Sequence, residues 1–173
     1  MAVRSILQLG NPGLREPTHR VKSFEDESVR SCIEDLRDTL SDVRQKQGFG
    51  RAIAGPQIGA TVRVVFLHVD VPLVLINPKI VKRSRKKMML WDDCFSFPDI
   101  LVKVRRALAI DLHYQDEQGK GRTLKADGLL SALLQHEMDH LDGVLAIDRA
   151  IDSRHIVFRE EYKRWITKHE IAM

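Results

Sequence analysis

The sequence predicts an α+β fold with antiparallel sheets packed around a central helix. Three observations carry this. Apolar residues recur every three or four positions from about Ser23 to Gln47. Short β-branched runs, broken by turn residues, fill the stretch from Val62 to Lys125. A second apolar run, Leu129 to Leu141, ends at Gly143 and carries two histidines four residues apart. Strands in succession with helices collected elsewhere are the pattern of α+β rather than of alternating α/β chains.

The elements follow in order. Gly10-Asn11-Pro12-Gly13 reads as an early turn. In the first helix, Val29, Cys32, Ile33, Leu36, Leu40 and Val43 form one stripe. Ser23 is the expected N-cap, Glu25 to Glu27 suit the positive end, and Gly48 suits the stop. Cys32 falls on the stripe and reads as a buried structural thiol. Strands are expected at Val62 to Val69, Leu73 to Ile76 and Ile80 to Lys82, with Pro72 and Pro78 as breaks. Ile100 to Arg105 and Ala107 to Tyr114 follow, and Asp116-Glu117-Gln118-Gly119 turns the chain into Arg122 to Lys125. After the helix Leu129 to Leu141, a last helix is expected from about Ser153 to His169, with Phe158, Tyr162 and Trp165 on one face.

Composition bounds the class. At 173 residues, 43% hydrophobic and 30% charged, the chain reads as one globular domain spanning residues 1–173. Two cysteines make no disulfide framework. No apolar run reaches membrane-spanning length, and no long apolar stretch follows Met1-Ala2-Val3-Arg4-Ser5. A cytoplasmic protein with no membrane partner is expected. The net charge of +4 and a pI near 9.2 are mildly basic and call for no sequence-specific nucleic-acid partner.

The chemistry concentrates in Gln135-His136-Glu137-Met138-Asp139-His140. On a helix, residues four apart share a face. His136 and His140 can then grip one metal ion, with Glu137 beside it as proton carrier. A hydrolytic metal usually takes three protein ligands and keeps one position open for water. Cys94, in Trp91-Asp92-Asp93-Cys94-Phe95-Ser96, is one candidate for the third ligand. Glu160, twenty residues past His140, is the other, at a separation that suits a thermolysin-like zinc endopeptidase.

Four segments taken together favour Cys94, with the Glu160 endopeptidase kept as the alternative. Gly10 to Arg15, Gly50-Arg51-Ala52-Ile53-Ala54-Gly55-Pro56-Gln57, Asp92 to Ser96 and Gln135 to Gly143 resemble, in order and spacing, the peptide deformylases. The resemblance covers about Leu7 to Arg149. It implies removal of the formyl group from the formyl-methionine of nascent polypeptides. It implies one divalent metal, ferrous iron foremost and zinc, nickel or cobalt as substitutes, on Cys94, His136 and His140. Glu137 would be the general base. The Gln57 amide and the Phe95 backbone N–H would stabilise the oxyanion.

The chain departs from the family pattern at the substrate walls. Ala52 and Gly55 replace a Gly and an Ala of the first motif, and Arg51 stands at a usually apolar position. Asp92, Asp93 and Phe95 replace Glu, Gly and Leu of the second. Gly50, Arg51, Ala52 and Asp93 are therefore the expected substrate-facing residues, and an altered substrate preference is expected. Arg51 would attract a carboxylate at the cleft mouth, whereas Asp93 would disfavour anionic groups. A deformylase scaffold that binds metal and peptide without turnover is the remaining alternative. The basic run Lys82 to Lys87, and Arg154, Arg159, Lys163, Arg164 and Lys168 near the C-terminus, are candidate phosphate contacts for transient ribosome binding.

Overall fold

The computed structural model describes residues 2–166. The first helix, α1, spans Glu27–Gln47. It starts three residues later than the apolar pattern suggests, because Asp26 rather than Ser23 caps it. The Asp26 carboxylate accepts the Ser28 N–H at 2.9 Å, and Phe24 instead packs against the α1 core. Gly48 ends the helix in the left-handed region at φ 74°.

Five strands make the larger sheet: β1 (Ala52–Ala54), β2 (Val64–His68), β3 (Pro72–Arg83), β6 (Ala109–Gln115) and β7 (Gly121–Asp127), ordered β1-β2-β3-β6-β7 and antiparallel throughout. The smaller sheet has order β4-β5-β8, from β4 (Lys87–Asp92), β5 (Ile100–Ala107) and β8 (Ile156–Phe158). The second helix, α2, spans Gly128–Leu141.

Alternation along the larger sheet sorts its two faces. Ile53, Val64, Phe66, Val74 and Ile76 point to α1 and meet Ile33, Leu36 and Leu40. Ala52, Ala54, Val65, Leu67, Leu75 and Leu112 point to α2 and meet Leu134, Met138 and Leu141. Leu36, Leu40 and Leu141 are fully buried, each worth about 1.5–3 kcal/mol of apolar transfer. Residues 134–141 of α2 are all buried, so this helix is enclosed rather than merely docked. A third cluster, built on Cys94, Phe97, Val102, Val104 and Leu145, fills the space beside the smaller sheet.

Three expectations need correction. The runs around Pro78 are one strand, not two. Asn77 takes φ 52°, the register against β6 shifts between Ile76 and Lys79, and this bulge accommodates the missing proline N–H. β1 and β4 lay unrecognised, the first because it is only three residues long. The second, Lys-Met-Met-Leu-Trp-Asp, has no β-branched residue. The segment from Ser153 is not a continuous helix. It makes a turn at Ser153–His155, then β8 pairs Val157 with Leu101, and only Arg159–Ile166 is helical, with a π-type stretch from Tyr162. The expected extension to His169 lies outside the described residues.

Candidate metal centre

The Cys94 loop, the Gln57 turn and α2 converge at one point. Leu7 donates its N–H to the Gln57 carbonyl at 2.8 Å, and Leu9 donates to the Ser96 carbonyl at 2.8 Å. The N-terminal segment thus holds the two loops at fixed separation. On the other side Gln135 clamps α2 to β5: its amide accepts the Ala107 N–H at 3.0 Å and donates to the Ala107 carbonyl at 2.9 Å.

This framework brings together Cys94, His136 and His140. One donor atom from each lies within 4.8 Å of the others, and all three residues are buried. His140 Nε2 stands 3.2 Å from Cys94 Sγ and 3.2 Å from His136 Nε2. His136 turns Nε2 inward because its outer nitrogen, Nδ1, meets Asp92 Oδ2 at 3.0 Å. A thiol sulfur and two imidazole nitrogens fit a borderline-soft divalent ion such as zinc, iron, cobalt or nickel.

The charges around the cluster are strongly coupled. Burial alone would lower the His136 pKa, but the charge and hydrogen bond of Asp92 outweigh it and hold the imidazole well above its ordinary range. Burial pushes His140 well below the ordinary range, and the neighbouring His136 charge adds to this. Asp92 is held down at about 2: burial opposes ionisation, but His136 and Arg106 prevail. Glu137 is pushed up to about 7, mainly by burial, with the His136, Arg106 and Arg51 charges opposing. Its Oε2 is buried with no hydrogen-bond partner among the described residues, a carboxyl oxygen kept free beside the cluster.

Gln57 is buried in the turn after β1. Its Oε1 accepts the Ala54 N–H at 2.9 Å and its amide nitrogen points at Cys94 Sγ, 3.6 Å away. The amide orientation is thereby fixed, with its donor end towards the cluster.

A cleft of about 530 Å³ opens onto these groups. Gly50, Arg51, Ala52, Asp93 and Phe95 line it with Gln57, Cys94, His136 and Glu137, while His140 lies beneath, almost fully buried. Gly50 has φ 141°, and a Cβ there would sit 3.2 Å from the Phe95 ring, the Leu40 side chain and the Arg44 stem. The Phe95 ring stacks on Phe49, centroids 6.1 Å apart. Asp93 does not face the cleft as a bare charge, because Arg159 pairs with it at 3.0 Å.

Glu160 is not part of this constellation. Its side chain is 83% exposed and lies 3.7 Å from Arg164, so the endopeptidase ligand set is not favoured. Sequence reasoning also missed a buried ionic network. Arg106 joins Asp92 to Asp139, and Arg149 reaches Asp139 Oδ1 at 2.9 Å. The signal was present: a metal-ligating histidine commonly has a carboxylate behind it, and Asp92 stands two residues from Cys94.

Residues 3–155 match the family described as polypeptide deformylase. The chain is 39% identical over 154 residues to "Peptide deformylase 2" of Prochlorococcus marinus, covering 86% of this chain and 74% of that one. It is 35% identical over 151 residues to the peptide deformylase of Dictyoglomus thermophilum, covering 87% and 94%. The fold superposes on Thermotoga maritima peptide deformylase with a TM-score of 0.80 at 31% identity, covering 88% of this chain and all of the other. Synechococcus elongatus peptide deformylase, solved in complex with actinonin, gives a TM-score of 0.79 at 34% identity, covering 87% and 80%.

Proposed function

The chain belongs to the polypeptide deformylase family, and from that premise we propose its function residue by residue. Its activity is metal-dependent deformylation. The substrate in this reading is the N-terminal formyl-methionine of a nascent chain, and the enzyme acts in the cytoplasm as one domain. Among the described residues no helix is long and apolar enough to cross a membrane.

The observation that carries the residue assignment is the convergence of Cys94, His136 and His140 within 4.8 Å beside a buried glutamate and an oriented glutamine amide. Cys94, His136 and His140 would hold the metal, with ferrous iron the first choice. When bound, the metal supplies a Lewis acid that makes water acidic enough to attack near neutral pH. Glu137 takes the proton from the attacking water and returns it to the departing methionine nitrogen. Burial that pushes its pKa to about 7 suits both halves of that transfer. The Gln57 amide N–H donates to the formyl oxygen as it gains charge, together with the Phe95 backbone N–H. Each such donor is worth about 3 kcal/mol in the transition state. Asp92 fixes the ring of His136, and Arg106 fixes Asp92.

The basic hairpin at Lys82–Lys87 and the cations of residues 154–164 supply phosphate contacts for a transient approach to the ribosome. Co-sedimentation with ribosomes that weakens with salt supports this contact, and salt-independent behaviour refutes it.

The deciding experiment is formate release from formyl-Met-Ala-Ser by anaerobically prepared protein reconstituted separately with iron, nickel, cobalt and zinc. Turnover abolished in Glu137→Ala supports the reading. Stoichiometric metal without formate release refutes it and favours a peptide-binding homologue.

A further inference from the structure

We infer that this cleft selects formylated peptides bearing an acidic side chain one or two residues after the formyl-methionine, and that Arg51 and Arg44 read that carboxylate. The inference rests on the deformylase reading and deepens it.

The argument is an accounting of charge along the cleft. Three arginines line it, Arg44, Arg51 and Arg159, with three carboxylates, Asp92, Asp93 and Glu137. Asp92 is already bound by Arg106 and His136. Asp93 is bound by Arg159, whose Nε also donates to the Pro98 carbonyl at 2.8 Å and so stays in place. Glu137 is buried at the reacting centre. Arg44 and Arg51 are left without an acidic partner among the described residues. The expected repulsion of anions by Asp93 is therefore offset, and one wall of the cleft carries an uncompensated positive charge.

The two guanidinium groups belong to one structural unit. Arg44 is in the last turn of α1, and Arg51 immediately precedes β1. The turn between them is so close that a Cβ on Gly50 would sit 3.2 Å from the Arg44 stem. Arg44 donates to the His68 carbonyl at 2.8 Å, which orients the side chain along the rim without neutralising it. Arg51 is exposed and lines the same cleft as Glu137, so a peptide seated at the reacting centre passes within its reach. Apolar Phe49 and Val69 line the same cleft and bring no competing carboxylate to it. A lysine or arginine in the same substrate position meets like charge instead.

The test is kcat/KM of the metal-loaded protein on two series of peptides, formyl-Met-Xaa-Ala-amide and formyl-Met-Ala-Xaa-amide, with Xaa as Asp, Asn or Lys. Amidation removes the C-terminal carboxylate, so only the side chain can supply the anion. The expected result is an Asp-over-Lys ratio of about fivefold or more in at least one series, with Asn between. The ratio should shrink at high salt and fall towards unity in Arg51→Gln, and further in Arg44→Gln/Arg51→Gln. The same peptides extended to a free C-terminus show whether a terminal carboxylate is read as well. A ratio at or below unity in both series overturns the inference, as does a ratio that both variants leave unchanged. Turnover of the Asn peptides with a flat ratio sinks only the preference. Absence of turnover on every peptide sinks the deformylase reading and the preference together.

Discussion

Asp92 Oδ2 lies 3.0 Å from His136 Nδ1 and 3.0 Å from the Arg106 guanidinium. One carboxylate oxygen therefore joins the imidazole to a buried cation that also serves Asp139. The contact fixes which imidazole nitrogen faces Cys94 and His140. Removing it should loosen the site without unmaking the fold. Asp92→Ala is expected to weaken metal binding by about 10–100-fold, measured by competition with a chelator. A variant that holds metal as tightly as the parent would make Asp92 only a partner for Arg106.

Cys94 and Glu160 separate the two ligand sets proposed from sequence, and Glu137 tests the base. Glu137→Gln keeps the shape and removes the base. It should retain metal and lose about 10²–10⁴-fold in kcat. Cys94→Ala should lose metal. Glu160→Ala should change neither quantity, because that side chain is exposed and pairs only at the surface. Metal analysis and formate release on all three variants decide the point. Metal loss in Glu160→Ala would reopen the endopeptidase assignment.

The contrast shows what kind of information lies in sequence. His136 and His140 were legible because their spacing is itself a geometric statement once the helix is recognised. The α1 stripe was legible for the same reason. The Asp92–Arg106–Asp139 network spans three elements, so no local period encodes it. The C-terminal segment misled for a physical reason. Phe158, Tyr162 and Trp165 fall at helical spacing, yet the open edge of the smaller sheet captures Ile156–Phe158 as β8, opposite Ile100–Val102. Long-range pairing outweighed local preference there. At Asp93 the sequence revealed the charge but not Arg159, sixty-six residues away, which offsets it.

Gly143 terminates the region that carries His140 and does so with no room to spare. Its φ is 70°, and a Cβ would lie 2.3 Å from the Arg15 carbonyl oxygen. Backbone atoms cannot rotate aside as a side-chain tip can. Gly143→Ala combines an unfavourable backbone region with a backbone clash, so a loss of at least about 2 kcal/mol in unfolding free energy is expected. Chemical denaturation measures it. A loss below about 0.5 kcal/mol would mean that the helix end shifts freely, and that Arg15 does not anchor it.

Cys32 gives a pH-dependent signature away from the site. The thiol is 5% exposed on the inner stripe of α1. Burial, aided by the Asp35 charge, pushes it up to about 12 from an ordinary value near 9. The sign follows from comparing the two states. Below pH 9 both states hold the proton and the group is neutral in its effect. Between 9 and 12 the unfolded chain releases the proton while the folded chain keeps it, so ionisation draws the equilibrium towards unfolding. The parent should therefore lose stability above pH 9 more steeply than Cys32→Ala. The slope is the readout, since the lost thiol volume offsets the whole curve. Iodoacetamide under mildly alkaline conditions should label Cys32 only as fast as the chain unfolds. Rapid labelling of Cys32 in the native protein would show that α1 opens locally and that the thiol is not sealed in the core.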